Sequence, residues 1–460
     1  MVKKLTVEDI LEVTNGKLIN GKKDIICEDF SRDSREIKEK DTYIGIKGTK
    51  VNGNELYEDV LKKGATCLIL EGVEIPEKIL KKYPNSAIII VDDSIKALQQ
   101  IAEYKRSLYN IPVVAITGSV GKTSTKDIVA SVLSQKFNVL KTQGNYNNNI
   151  GLPLTILNLR DHNALVVELG MSSLGEISVI SKIAKPTIAI ITNVGTAHIG
   201  NLGSRENILK AKMEILEGLS KDGTLIINND NDLLHNWYVS KKCDFKVVTY
   251  GIQNKSDLMA ENIKLNENNS NFLAKSKDEE YNVTIKVAGE HFVYNGLCAI
   301  TVGRELDIET ERILKGLLDF ELTKGRMETV TTKKGMFLIK DCYNANYDSM
   351  KAAIEYLSKL RNSRKIAVLG DMLELGEYSK NLHEMVGEEV KNNNIDILIT
   401  VGKEAKNIAQ KANIKETYIC ESNLEAEKVL KKLLKKGDAV LVKASNGMKF
   451  IDICEFIEKI

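Results

Sequence analysis

The sequence has no C-x-x-C pair, no surplus of one charge, no low-complexity tract and no obvious internal repeat. Nor does any apolar run approach the roughly 18–20 residues that span a bilayer. Each absence removes a class of function. The seven cysteines, Cys27, Cys67, Cys243, Cys298, Cys342, Cys420 and Cys454, are odd in number and scattered. That pattern reads as reduced, buried thiols rather than a disulfide frame or a zinc site. Lys and Arg total 65 against 63 Asp and Glu, a formal net charge of +2. Such balance leaves no broad positive footprint, so neither nucleic acid nor an anionic membrane is expected as a partner. Met1-Val2-Lys3-Lys4-Leu5 does not open the long apolar stretch of a signal peptide. A cytoplasmic protein without membrane insertion is expected.

What is present is ordinary globular composition, 43% apolar and 28% charged, over 460 residues. A chain of that length divides into about two to four domains. Residues 1–109 start with a mixed pattern. They end in the buried-strand run Ala87–Val91 and a helix read from Ile95, Leu98, Ile101, Ala102 and Leu108. Asn110-Ile111-Pro112 breaks that helix. From residue 110 to 324, strand-like runs at 164–169, 187–192 and 224–228 alternate with helical ones, which implies a parallel sheet covered on both faces. Residues 244–287 alternate more finely and suggest a few antiparallel strands added to that sheet. Residues 325–460 restart the alternation as a second open α/β sheet, with the hinge near Leu322-Thr323-Lys324-Gly325. The expected fold is therefore α/β in three domains. A small N-terminal α/β domain precedes a central P-loop-type, mostly parallel sheet with helices on both faces, and a Rossmann-like α/β domain ends the chain.

Residues 116–125 read Ile-Thr-Gly-Ser-Val-Gly-Lys-Thr-Ser-Thr, between the apolar run Val113–Ile116 and a helical pattern. This is the strand–loop–helix setting of a phosphate-binding loop. Gly118 and Gly121 let the backbone turn tightly and bring several N–H groups onto one anion. Lys122 adds a point charge, Thr123 offers a hydroxyl to Mg²⁺, and the helix directs its positive end at the phosphates. The nucleotide-binding stretch is Gly118, Ser119, Val120, Gly121, Lys122, Thr123 and Ser124. The loop is short: Ile116 stands where the common G-x-x-x-x-G-K-[ST] pattern has glycine. A glycine-rich turn with a surface lysine is the competing reading.

Other polar residues sit just beyond strand ends, where open α/β sheets bind ligands. Glu168 closes Leu165-Val166-Val167-Glu168 and is placed to hold a cation beside the phosphates, or else to cap a helix. His198, in Thr192-Asn193-Val194-Gly195-Thr196-Ala197-His198, can ligate or position a metal as a neutral imidazole, or be structural. Lys210, Lys212 and Glu214 read as the solvated face of a helix. Asp341-Cys342-Tyr343-Asn344-Ala345-Asn346 suits small-molecule recognition, or a polar turn capping a helix near Asp348. Gly370–Gly376 ends the next strand in the same way.

Taken together, these segments resemble the Mur ligases, ATP-dependent amide-forming enzymes of peptidoglycan synthesis. The short loop Thr117–Thr123, the run Gly144-Asn145-Tyr146-Asn147-Asn148-Asn149-Ile150-Gly151-Leu152-Pro153-Leu154, and Gly289-Glu290-His291 with Asn295 carry the likeness. Tyr343-Asn344-Ala345-Asn346 and Leu369–Gly376 are similar to the branch that adds D-alanyl-D-alanine, and Asp33-Ser34-Arg35 resembles the part of the first domain that holds the UDP-sugar. The likeness runs in order from about Asp33 to Met448.

The resemblance implies roles. Lys122 and Thr123 bind ATP phosphates and Mg²⁺. Glu168 and His198 hold magnesium, and Lys212 matches a lysine carbamylated into a metal ligand. Asn295 and Arg326 touch the nucleotide, and Asp341 its ribose. Ser34, Arg35, Asn145 and Asn148 serve the UDP-N-acetylmuramoyl-tripeptide, and Tyr343, Asn344 and Asn346 the dipeptide. A monomer is expected. Three positions depart from the family. Tyr347 follows the Tyr-Asn-Ala-Asn run where proline is usual, Lys443-Ala444-Ser445-Asn446 replaces Lys-Gly-Ser-Arg, and Asn52-Gly53-Asn54 replaces Asp-Gly-His, to which no role passes. Other ligases of the superfamily, a P-loop NTPase that moves partners, and a non-catalytic binding module are the alternatives.

Overall fold

A computed structural model describes residues 3–361 and 364–460. Three sheets follow one another along the chain. The first has six strands between Leu5 and Val91, its middle four parallel and its two edge strands, Leu5–Thr6 and Lys17–Asn20, antiparallel. Helix Ser94–Ser107, capped by the Asp93 side chain on Lys96 N, packs against the central unit's helices Gly151–Leu157 and Glu176–Ala184. The buried Arg106 guanidinium pins that junction by donating to the carbonyls of Ala184 at 2.9 Å and Tyr109 at 2.6 Å.

The central sheet has nine strands. Its parallel part runs in the spatial order Val139–Lys141, Ala164–Glu168, Val113–Thr117, Ile188–Ile191, Thr224–Asn228, Lys246–Gly251. The strands at 113–117, 164–168 and 188–191 are buried along their whole length, as expected of apolar runs covered by helices on both faces. Strands Leu258–Leu265, Ser270–Lys275 and Glu280–Ile285 extend the sheet, the last two pairings antiparallel. Of the segment expected to be antiparallel, Lys246–Gly251 pairs parallel instead, because it continues the buried sheet beside Thr224–Asn228. The chain leaves strand Val113–Thr117 toward one edge and returns on its other side. This strand is therefore a topological switch point, and its loop opens into the crevice between its neighbours.

The third sheet orders its strands Glu328–Thr331, Phe337–Lys340, Ala439–Lys443, Lys365–Gly370, Ile397–Val401, Glu416–Cys420, all parallel except the first pair. Helix Tyr347–Lys359 starts where Asn346 accepts from Ser349 N at 2.9 Å in a capping box. The loss of proline after Asn346 is thus made good by a side-chain cap. The Thr323 hydroxyl bonds Asp127 on the helix that follows the phosphate loop, tying the linker to the central unit.

Candidate active site

The carboxyl ends of the central sheet face those of the third across a cavity of about 570 Å³. The phosphate loop forms one wall. Gly121 holds φ at +84° as the N-cap of helix Lys122–Leu133, a conformation that glycine adopts without strain. The first-turn amides of that helix lack intrahelical acceptors and point their dipole into the cavity. The amides of Ser119 and Val120 do not join them. Ser119 N donates to Asn193 O at 3.1 Å and Val120 N to Asn193 Oδ1 at 2.9 Å. Asn193 therefore fixes the loop's shape, and these two residues line the cavity without offering their N–H groups to it. Lys122 Nζ donates to Gly118 O at 2.8 Å, and burial pushes its ammonium below the usual lysine range.

Glu168, 3% exposed, ends the neighbouring strand. Thr123 Oγ1 donates to its Oε2 at 2.9 Å and Asn147 Nδ2 to its Oε1 at 2.8 Å. Each carboxylate oxygen keeps a lone pair after these bonds, so the group is oriented without being used up. Among the described residues no three His, Cys, Asp or Glu side chains gather as a ready-made metal cage. One carboxylate beside a threonine hydroxyl and a phosphate site is nevertheless a donor set that Mg²⁺ accepts, since that ion keeps several waters and uses one or two carboxylates with substrate phosphates.

His198 follows the strand on the other side. It sits in a left-handed conformation, φ 64°, at the start of helix Ile199–Leu202. Burial and the Lys122 ammonium hold its imidazolium form unfavourable, only partly offset by Glu374. Lys212 contradicts the reading of a solvated helix face. Lys210 on the same helix is exposed, but Lys212 is only 1% exposed. Helix Arg205–Met213 turns Ile208, Ala211 and Lys212 inward together. Burial first and Lys122 second push its pKa well down, with no carboxylate opposing.

The far end of the cavity is built by the third sheet. The Arg326 guanidinium stacks 4.1 Å above the Tyr343 ring, the cation–π geometry. Its Nε and Asn295 Nδ2 are buried without hydrogen-bond partners among the described residues. Such groups are costly unless a ligand satisfies them. Thr125 Oγ1 donates to Asn295 Oδ1 at 3.1 Å, which turns the amide nitrogen toward the cavity. Asp341 accepts from Met327 N at 3.2 Å and from the buried Lys443 Nζ at 2.6 Å. A second cavity, of about 530 Å³, shares His291, Tyr294 and Ala352 with the first.

Sixteen residues read from the sequence meet in the main cavity: Ser119, Val120, Gly121, Lys122, Thr123, Ser124, Asn145, Asn148, Glu168, His198, Asn295, Arg326, Asp341, Tyr343, Asn344 and Asn346. Gly118 and Lys212 lie behind its wall. Ser34 and Arg35 lie outside it, in the turn that follows strand Ile26–Ser31 of the first sheet, and the Arg35 side chain is 87% exposed and paired with Asp33 at 2.5 Å. Asn346 also caps a helix, and Asn148 Oδ1 accepts from Gly151 N at 2.8 Å in the loop that leads into helix Gly151–Leu157. Four residues absent from the sequence reading shape the site: Asn147, Asn193, Glu374 and Lys443. All fall inside runs already singled out, but nothing in their spacing marks which asparagine turns inward.

Two family models match this architecture: the Mur ligase middle domain over residues 116–303, and the Mur ligase, glutamate ligase domain over residues 325–446. The chain is 36% identical over 457 residues to the UDP-N-acetylmuramoyl-tripeptide–D-alanyl-D-alanine ligase of Bacillus subtilis strain 168, covering 98% of this chain and 97% of that one. Among solved structures it superposes on a MurF from Acinetobacter baumannii with a TM-score of 0.91, 28% identity and full coverage of both chains. It also superposes on the MurF ligase of Thermotoga maritima in complex with ADP, with a TM-score of 0.83, 28% identity, and coverage of 94% and 97%. The match includes the phosphate loop, the third sheet that closes the cavity and the whole length between, and the chain belongs to the Mur ligase family.

Proposed function

We infer that this chain is an ATP-dependent ligase that joins D-alanyl-D-alanine to UDP-N-acetylmuramoyl-tripeptide, giving the pentapeptide, ADP and phosphate in peptidoglycan synthesis. One observation carries the reading. A phosphate loop, a carboxylate held by Thr123 and Asn147, and the Tyr343–Asn346 loop of another sheet face one cavity. A nucleotide alone needs the first two elements; a second substrate accounts for the third.

A carboxylate does not acylate an amine at neutral pH, because oxide is a poor leaving group. Transfer of the γ-phosphoryl group to the peptide carboxylate makes an acyl phosphate, and the dipeptide amine then displaces phosphate. Lys122 and the first-turn amides of its helix offset the negative charge that gathers during phosphoryl transfer. Glu168 and Thr123, with His198 near, would hold Mg²⁺, which would supply Lewis-acid stabilisation of charge on the transferring phosphoryl group. Asn295 and Arg326 hold the nucleotide, and Asp341 its ribose. Tyr343, Asn344 and Asn346 flank the incoming dipeptide, and enclosure between the sheets keeps water from the acyl phosphate.

Three units divide the work: 1–109 for the UDP-sugar, through Ser34 and Arg35; 110–324 for ATP; and 325–460 for the dipeptide and part of ATP. Among the described residues no helix is long and apolar enough to cross a membrane. The reading includes a cytoplasmic, monomeric enzyme. The test is phosphate release from ATP with the UDP-linked tripeptide, with and without D-alanyl-D-alanine. Release that requires both, with pentapeptide formed, is expected. Release independent of the dipeptide would point instead to a nucleotide-driven switch and overturn the ligase reading.

A further inference from the structure

The loop Thr192–His198 is gripped from two sides. On one side it is stitched to the phosphate loop. Thr192 Oγ1 and Asn193 Nδ2 donate to Val120 O at 2.8 and 2.9 Å, and Gly195 N donates to Ser119 Oγ at 2.9 Å. On the other it meets the third sheet's unit. Thr196 N and Oγ1 both donate to Asp348 Oδ2, at 2.9 and 3.1 Å. A Cβ at Gly195 would overlap that carboxylate, so no other residue allows the same approach. Further along, a Cβ at Gly200 would stand 2.6 Å from Gly376 N, and Tyr378 OH donates to Gly203 O at 2.6 Å. Asp348 itself lies in the first turn of helix Tyr347–Lys359, two residues after the Asn346 cap. One carboxylate thus connects the helix behind the Tyr343–Asn346 loop to the segment that ends in His198.

We propose that Asp348 is a positioning residue. By accepting both Thr196 bonds it sets the Thr192–His198 loop, and through Asn193 the phosphate loop, in the arrangement that phosphoryl transfer needs. Docking of the third sheet's unit and readiness of the phosphate site are one event rather than two. The proposal rests on the ligase reading for its kinetic consequence. Its structural consequence, that docking depends on Asp348, stands apart from that reading.

The test compares Asp348→Ala, Asp348→Asn, Thr196→Val and the Asp348→Ala/Thr196→Val pair. Asp348→Ala is expected to lose turnover on the order of 10²-fold, the scale of a small misplacement of reacting groups. Its affinity for a non-hydrolysable ATP analogue, read by calorimetry, is expected to be unchanged. Asp348→Asn keeps an acceptor oxygen and should recover much of the loss. Because the two residues act through one contact, the pair should be no worse than Asp348→Ala alone. Small-angle scattering with the analogue bound should give a larger radius of gyration for Asp348→Ala than for the wild type. Wild-type turnover in Asp348→Ala, additive losses in the pair, a loss that tracks the melting temperature, or identical radii would each overturn the proposal. A wild-type protein that ligates nothing, yet loses compactness in Asp348→Ala, would remove the ligase reading and leave the coupling standing.

Discussion

His198 Nδ1 lies 2.8 Å from Glu374 Oε2, and both residues hold φ at 64°. The approach is an ion-pair distance whose angle does not make a hydrogen bond, for the same nitrogen has no hydrogen-bond partner among the described residues. Two non-glycine residues in left-handed conformations thus meet across the contact between the second and third sheets. Such conformations persist where the surroundings over-determine them. Here the surroundings are helix Ile199–Leu202 on one side and the Glu374–Tyr378 turn on the other.

That strain gives a prediction for Glu374→Gly. A left-handed non-glycine residue costs about 1–2 kcal/mol, whereas a new glycine loosens the unfolded chain by roughly 0.5–1 kcal/mol. The variant is expected to be at least as stable as the wild type and to lose turnover, because the carboxylate facing His198 is gone. Denaturant melting and phosphate release on the same preparation check it. Lower stability with unchanged turnover would show that the conformation serves folding rather than the site.

Asn147 supplies the second prediction. Its side-chain amide donates to Glu168 at 2.8 Å, and its backbone carbonyl accepts from Gly170 N at 2.8 Å, which fixes the main chain that carries the amide. Removing the partner of a metal-binding carboxylate lowers metal affinity by about 10–100-fold. Asn147→Ala should therefore need that much more Mg²⁺ for half-maximal phosphate release at saturating ATP. Asn147→Asp, which sets a second carboxylate against Glu168, should change the Mg²⁺ requirement differently from alanine. A Mg²⁺ requirement equal to that of the wild type in Asn147→Ala would separate Glu168 from the metal.

The phosphate loop, the strand-end position of Glu168 and the restart of the α/β rhythm after residue 325 were legible because each is local. A buried parallel strand is a run of apolar residues, and its ligand-facing loop must follow directly. Lys212 was legible only through the family resemblance, not from its spacing. The alternation of Lys210, Lys212 and Glu214 is what a solvated helix looks like, and only the placement of helix Arg205–Met213 buries the middle one. Asn147 and Asn193 were hidden by repetition and by adjacency to more reactive neighbours. Glu374 and Asp348 act across the two sheets, and no periodicity within one segment encodes a meeting with another. The parallel direction of the strand at 246–251 was hidden for the same reason: pairing partners are tertiary facts.

His291, where the two cavities join, carries the third prediction. Burial, only partly opposed by Asp341, brings its pKa down from 6.5 to about 4. The unfolded chain takes up a proton on this residue below about 6.5, while the folded protein does not until about 4. Its contribution to stability is complete above the unfolded value and is lost as the pH falls from 6.5 to 4. His383 is shifted in the same direction by burial, so it adds to the same slope. The melting temperature of the wild type should fall across this window, and that of His291→Asn should fall less steeply. Parallel slopes would mean that His291 is protonated in the folded state.

Lys212 carries the last. Its side chain is enclosed, its ammonium form is disfavoured by burial and by Lys122, and no carboxylate compensates. A lysine in that setting is largely a neutral amine. A neutral amine adds to carbon dioxide and releases a proton, which gives a carbamate: an anion carrying two oxygens that can serve a metal beside Glu168. The repulsion from Lys122 then becomes attraction, so the modified form fits the site better than the bare ammonium. Lys212→Ala is expected to abolish phosphate release. Bicarbonate should not restore it, because no amine is left to modify, whereas small carboxylates that enter the space should restore it in part. With carbon-13 bicarbonate the wild type should show a carbamate resonance that Lys212→Ala lacks. Near wild-type turnover in Lys212→Ala, or a fully active wild type without that resonance, would remove the carbamate from the mechanism and leave Glu168 as the oxygen anion beside Thr123.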